Sequence, residues 1–474
     1  MDAPGKLTWN RQTAAHLLRR AAFGGTPEEV EELADLGLDA AVAKTLAVST
    51  NPVPAPATDP GESARLRALR RDAKASDKTP EARRAVQEFN RERKVEIASL
   101  RAWWLERMRA PAGAGIEKLT LFWHGHFATS LAKVRCNHLI RMQNETLRRL
   151  GLGSFTTLCT AMVVDPAMLV WLDGKESQAK APNENFPREI MELFTLGEGN
   201  YTEDDVREAA RCFTGWQIKP ETAESYFVRR RFAAGRKTLF GRSGNFGVSE
   251  AVSIICAQPR CAEFLATKLW EFYAYPQPEP ALVKSLAAYY RANDLHTGKL
   301  LERMFALPEF YADRARAVQI KSPVQWLVQV ARETGRQLLP MGLSLPLTAE
   351  LGQDLFTPPS VKGWDGGVAW INSATLIRRS NTAQLFTLAA APLPVETAGT
   401  MDATAWLKVA PQASRVSAEA LTERLAQVFL AAPPAPATRH RLSAVLSGKP
   451  FPSDDAVVRE ASIVLLASPE YNLC

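Results

Sequence analysis

The chain has 474 residues, 46% of them hydrophobic and 23% charged, with 58 basic and 51 acidic side chains and a formal charge of +7. That profile excludes a disordered chain, and a chain this long buries a large core without disulfide or metal staples. No apolar run reaches the ~18 residues of a membrane span; the nearest, Thr156 to Leu172, is broken by Asp165 and Pro166.

The start, Met1-Asp2-Ala3-Pro4-Gly5, lacks the basic and then apolar profile of a secretory signal, so a cytoplasmic protein is expected. The six cysteines form no C-x-x-C pair, which points to no zinc or thioredoxin-like motif and to a reducing compartment. Residues 1–48 read as a helical segment. His16, between Ala15 and Leu17, reads as a core histidine. Thr26-Pro27-Glu28-Glu29 is a helix start: an N-cap, a Pro at the first position and a Glu closing a capping box. Residues 49–63 are a Pro-rich linker.

A helical core spans residues 64–385. Its first part, to Arg109, is crowded with arginines, but Asp72, Glu81, Glu88, Glu92 and Glu96 are interspersed. Mixed signs indicate a solvated helix, and no nucleic-acid partner is expected. The stretch Glu117 to Val134 carries Phe122-Trp123-His124-Gly125-His126-Phe127. On an irregular turn His124 and His126 could share a divalent metal; on a helix, residues two apart point away from each other, and the pair reads as packed core residues.

Asp165-Pro166 marks a helix boundary, and Gly174 to Pro182 a loop. A helix is predicted from Phe186 to Leu196, with Gly197 as its stop and Phe186, Ile190, Leu193 and Phe194 as its buried stripe. Glu184, Arg188 and Glu192 follow one another every four residues on another face, and Glu189 stands at the apolar edge. That row is either a surface ion-pair ladder or a set of acid–base groups whose pKa values burial could shift. Thr202 caps the next helix, with Asp205 three residues on. Lys219 to Phe246 reads as loop with short strands, and Gly235-Arg236-Lys237-Thr238 as an exposed basic loop lacking the upstream glycine of a phosphate loop. Helices then resume, interrupted by the Pro/Gly/Trp loop Gly352 to Gly367. Residues 386–474 form a C-terminal helical extension packed on the core, with Ala389 to Ser414 as a variable connection. The fold class is mainly α: one large multi-helix domain with long irregular Pro/Gly-rich loops and little or no sheet.

The motifs resemble those of a bacterial family, domain of unknown function 1800, over nearly the whole chain. The resemblance runs through His16-Leu17-Leu18-Arg19-Arg20, the Phe122–Phe127 segment, Asn183-Glu184-Asn185-Phe186-Pro187-Arg188-Glu189, Cys212-Phe213-Thr214-Gly215-Trp216 and Pro358-Pro359-Ser360-Val361-Lys362-Gly363-Trp364. It implies no established reaction. It does imply a partner, or work on exported or anionic substrates, because genes of the family often stand beside those of sulfatase- and alkaline-phosphatase-like proteins. The chain departs from the family pattern twice: Pro187 stands where the family has Ala, and Phe232-Ala233 where it has a His-Asp pair.

Two functions follow. The first is a hydrolase or transferase acting on an anionic or carbohydrate-type substrate. Its catalytic groups would be Glu184, Arg188, Glu189, His124 and His126, and Asn183, Asn185, Glu192, Trp216, Lys237 and Trp364 would bind substrate. The second is a non-catalytic helical partner or scaffold for a sulfatase- or phosphatase-like protein, exported with that partner if the partner carries a signal. Convergence of the polar motif residues on one cavity would favour the first; internal satisfaction would favour the second.

Overall fold

The computed structural model describes residues 7–75, 80–387, 418–447 and 455–474. The connection predicted at Ala389 to Ser414 lies outside these residues.

The N-terminal helices start as their sequences dictate. In α1 (Arg11–Ala21) the Asn10 side chain accepts the backbone N–H groups of Gln12 and Thr13. In α2 (Pro27–Leu36) Thr26 and Glu29 close the expected capping box. The helix α3 (Leu38–Thr45) follows. The Pro-rich stretch 49–63 is tied to its neighbours, with the Trp103 indole donating to Val53 O at 2.9 Å and Arg141 Nε to the Thr58 hydroxyl at 2.8 Å. The charged region forms α4 (Glu62–Ala75) and α5 (Pro80–Arg109).

Next comes α6 (Ala114–His126), in which every side chain except Gly125 is buried. Leu119, Phe122 and Trp123 join a core with Phe127, Phe155 and Phe194. Leu121, from the opposite side, joins a second core with Trp104, Leu139 and Trp326. Burying each such side chain stabilises the fold by roughly 1.5–3 kcal/mol, so α6 welds two apolar clusters. The stretch predicted to run on to Val134 breaks at Phe127 and resumes only as the short α7 (Leu131–Val134). Then α8 (Asn137–Leu150), α9 (Phe155–Val163) and α10 (Pro166–Trp171) lead to the Asn183 segment.

That segment corrects the helix predicted from Phe186 to Leu196. An α-helix, α11, covers Asn185–Glu189, and the chain then widens into a π-helical turn over Ile190–Thr195. The wider turn is visible in Leu196 N–H donating to Met191 O at 2.7 Å and the Thr195 hydroxyl to Ile190 O at 2.8 Å, both spanning five residues. The added residue shifts the phase, so Met191 is buried and Leu193 is only half-buried. Gly197 ends the segment at φ +82°, as the stop required.

Beyond α12 (Glu203–Cys212), capped by Thr202 and Asp205, two antiparallel hairpins occur: β1 (Trp216–Ile218) with β2 (Ser225–Phe227), and β3 (Lys237–Leu239) with β4 (Arg242–Gly244). They are the named strands among the described residues. Helices α13 (Val248–Cys256), α14 (Pro259–Tyr273), α15 (Pro280–Ala292), α16 (Thr297–Phe305) and α17 (Pro308–Tyr311) follow, then the wholly buried α18 (Pro323–Glu333), α19 (Met341–Glu350) and α20 (Ser373–Thr387). The C-terminal helices α21 (Ala418–Phe429), α22 (Pro436–Leu446) and α23 (Asp455–Leu466) pack on the core. Arg19 donates to Gln427 O and Val428 O at 2.7 and 2.8 Å, and the Tyr471 hydroxyl donates to Glu333 at 3.0 Å.

Candidate functional site

The two histidines of the Phe122–Phe127 segment sit on α6 and face different neighbours. The His124 ring lies against Trp104, Phe356 and Trp364, at centroid distances of 5.3, 5.5 and 5.5 Å. Its Nε2 accepts the Phe356 backbone N–H at 3.2 Å, and burial pushes its pKa down to about 3. The His126 ring lies among Phe127, Trp123 and Phe194, at 4.8, 5.3 and 5.8 Å. Its Nε2 stands 3.0 Å from Phe194 O, and burial, with the Lys268 ammonium nearby, holds its pKa well below the usual histidine value. Each ring is therefore neutral and spends its Nε2 on the backbone. A metal shared through the two Nε2 atoms does not fit, since both are occupied and the rings pack against different aromatic groups; the remaining Nδ1 of His126 is buried without a partner. Among the described residues no group of three or more His, Cys, Asp or Glu side chains is arranged to hold a metal ion.

His124 pins the loop from Gly352 to Gly367 to α6. Arg101 on α5 reinforces this anchor, donating to Leu355 O, to Asp354 Oδ2 and to the Thr357 hydroxyl at 2.9, 2.7 and 2.9 Å. Further along the loop, Gly363 has φ +85°, and a Cβ there would meet Gly125 O at 2.4 Å. Only glycine permits this approach, and it brings Lys362 toward Glu189.

The Asn183–Glu192 segment divides into structural and exposed groups. Asn183 is structural: its Oδ1 accepts the N–H groups of Asn185 and Phe186 at 3.0 and 3.3 Å, and its amide donates to Leu172 O at 2.8 Å. Glu184 and Asn185 are exposed. Arg188 forms a bidentate pair with Glu203 at 2.7 and 2.8 Å. Glu192 accepts the Tyr201 hydroxyl at 2.8 Å, and burial together with that carboxylate pushes the tyrosine pKa up to about 12. Glu189 is half-buried; burial raises its carboxyl pKa, as does Glu192, while Lys362 and Arg188 oppose the rise. The structure thus gathers Arg188, Glu189, Glu192, Tyr201, Glu203 and Lys362 into one polar ridge.

The remaining predicted residues lie elsewhere. Trp216 is half-buried on β1 and packs against Phe227 at 5.7 Å. Gly235, Arg236 and Thr238 are exposed, as expected of the basic loop, but Lys237 is buried, which corrects its place as an exposed binding group: its Nζ donates to Phe246 O at 2.9 Å and lies 4.3 Å from the Phe232 ring centre. The Phe232 ring thus receives that ammonium in a cation–π contact. Trp364 is half-buried beside His124. Lys362 lies in the Pro358–Trp364 motif without an assigned role, and Tyr201 and Glu203 are additions from the structure; only the loop's close approach at Gly363 reveals Lys362's position. Neither of the two described cavities is lined by ridge residues.

The sequence profile of a family described as a protein of unknown function, DUF1800, matches residues 16–473. No curated protein and no solved structure matches the chain.

Proposed function

The chain belongs to the DUF1800 family, and on that premise we propose that it works as a non-catalytic helical binding partner, with the Arg188–Glu189–Lys362 ridge as its recognition surface. One observation carries this reading: His124 and His126, the groups best suited to proton transfer or metal ligation, are buried, neutral and bonded to backbone on different sides of α6. The charged motif groups lie apart from them and present mixed signs, which suits recognition of a polar protein face. The partner class is a sulfatase- or alkaline-phosphatase-like protein, taken from the family resemblance alone. No helix among the described residues is long and apolar enough to cross a membrane. Cytoplasmic residence, with export alongside a signal-bearing partner, belongs to the same proposal.

Titration calorimetry with such a partner tests the reading. Binding is expected, and Arg188→Glu and Glu189→Lys should each weaken it by about tenfold or more. The purified chain should not turn over phosphate, sulfate or glycoside esters, with or without divalent metal. Turnover abolished by Glu189→Gln at an unchanged thermal midpoint would overturn the proposal. It would instead favour a hydrolase or transferase with Glu189 as general acid, a second reading supported by the raised Glu189 pKa beside Lys362.

A further inference from the structure

A cavity of ≈ 340 Å³ opens between α1, α2, α21 and the turn that follows α21. This volume lies in the range of small-molecule pockets. Its apolar lining comes from Ala15, Pro27, Val30, Val428, Leu430 and Pro434. The lining is also charged. Arg11, Arg19 and Arg316 stand against Glu333 and Glu423, which leaves one net positive charge on the lining.

The three arginines are not equivalent. Arg19 is committed to the fold, with its Nε 3.4 Å from Glu333 and Nη2 on two backbone carbonyls. Glu333 is equally committed, accepting from Gln329 at 2.7 Å and from the Tyr471 hydroxyl at 3.0 Å. Arg11 holds Glu31 through Nη1 at 3.1 Å. Arg316 uses Nε on Tyr311 O at 3.1 Å, and its Nη1 lies 3.8 Å from an Asp313 side chain that is fully solvated. That separation is beyond hydrogen-bonding distance. The outer edge of the Arg316 fork therefore has no strong partner in Asp313, and a planar guanidinium edge matches a carboxylate bidentately.

We infer that this cavity is a binding site for a small monocarboxylate with an apolar body. The carboxylate would sit on Arg316, with Arg11 beside it, and the body would lie along Ala15, Val30 and Val428. The single net positive charge suits a monoanion better than a phosphate. His16, also in the lining, donates its Nε2–H to Phe310 O at 2.9 Å, so Nδ1 of the neutral ring is an acceptor and adds no cation. None of these residues belongs to the Glu189 ridge, so this inference stands or falls independently of the proposed function.

Titration calorimetry with octanoate, octanol and octylamine tests it on the full chain. Octanoate should bind with one molecule per chain, and octanol and octylamine at least about tenfold more weakly, the scale set by a charge-assisted hydrogen bond. Arg316→Gln should erase the preference for octanoate over octanol, and Arg11→Gln should reduce it. Ala432→Trp, on the half-exposed rim, should block all three ligands while leaving the thermal midpoint unchanged. Absence of saturable octanoate binding, octanol binding as tightly as octanoate, or a folded Arg316→Gln variant that binds octanoate like the parent would each overturn the inference.

Discussion

The Nε2 atom of His126 lies 3.0 Å from the carbonyl oxygen of Phe194, joining the end of α6 to the π-helical turn. Phe194 is among the last residues of its helical segment, where carbonyls lack an intrahelical partner. The histidine supplies the missing donor inside a largely aromatic shell, with the Lys268 ammonium nearby. His126→Ala should therefore cost about 2–4 kcal/mol, from a stranded buried carbonyl and a new void. Urea unfolding checks this, and a cost near zero would mean the bond contributes nothing.

The phase of the π turn makes a second test. Met191→Ala should cost roughly 2–5 kcal/mol because Met191 is fully buried. Leu193→Ala should cost only about 1 kcal/mol, since Leu193 is half-buried. The reverse order in paired denaturation curves would restore the regular α-helical stripe.

These residues also show how far the sequence could be read. Capping boxes at Thr26 and Thr202 and the stop at Gly197 were legible because their chemistry is local. The π turn was not, because residues Ile190 to Thr195 carry a pattern that also fits a regular helix. Its selection comes with tertiary contacts such as His126 on Phe194 O. The polar ridge was half legible: Arg188, Glu189 and Glu192 lie within one short segment, whereas Lys362 arrives from a loop far along the chain through the close approach at Gly363. The burial of Lys237 was hidden because a Gly-Arg-Lys-Thr run looks like solvent-facing loop, and the Phe232 ring that receives it is brought there by tertiary packing.

Asp165 begins α10, accepting Met168 N–H at 3.0 Å and the Gln143 amide at 2.8 Å, yet burial raises its pKa from 3.8 to about 7. Across that window the folded state binds more protons than the unfolded state, so this group's contribution to stability falls as pH rises from about 4 to about 7. Asp165→Asn keeps an acceptor oxygen and removes the buried charge. It should flatten that slope and leave the protein at least as stable above pH 7, measured by thermal unfolding across the range. A variant much less stable than the parent at high pH would show that the carboxylate is the better cap.

Lys118 works in the opposite direction. It is buried beside Gln325, with its Nζ 2.6 Å from Oε1, and burial lowers its pKa from 10.5 to about 7. Between those values the unfolded chain binds the extra proton, so this group makes the protein more stable as pH rises from about 7 to about 10. Lys118→Met should remove that gain while its apolar body keeps contact with Phe23 and Phe272. Parallel unfolding curves for parent and variant at both ends of the window check this, and an unchanged slope would contradict it.

The most direct test of the proposed non-catalytic role, in which the motif histidines are structural, is nitrogen-detected NMR of the imidazoles across a pH titration. His124 accepts a backbone N–H at Nε2, so its proton must sit on Nδ1; His126 faces a carbonyl with Nε2, so its proton must sit there. The expected result is two neutral rings of opposite tautomer that do not titrate between pH 5 and pH 8, the range in which an ordinary histidine changes charge, and do not shift on addition of zinc or manganese. A histidine of this pair titrating near pH 6.5, or both shifting together with metal, would show a working proton-transfer or metal site and would contradict the structural role assigned to them.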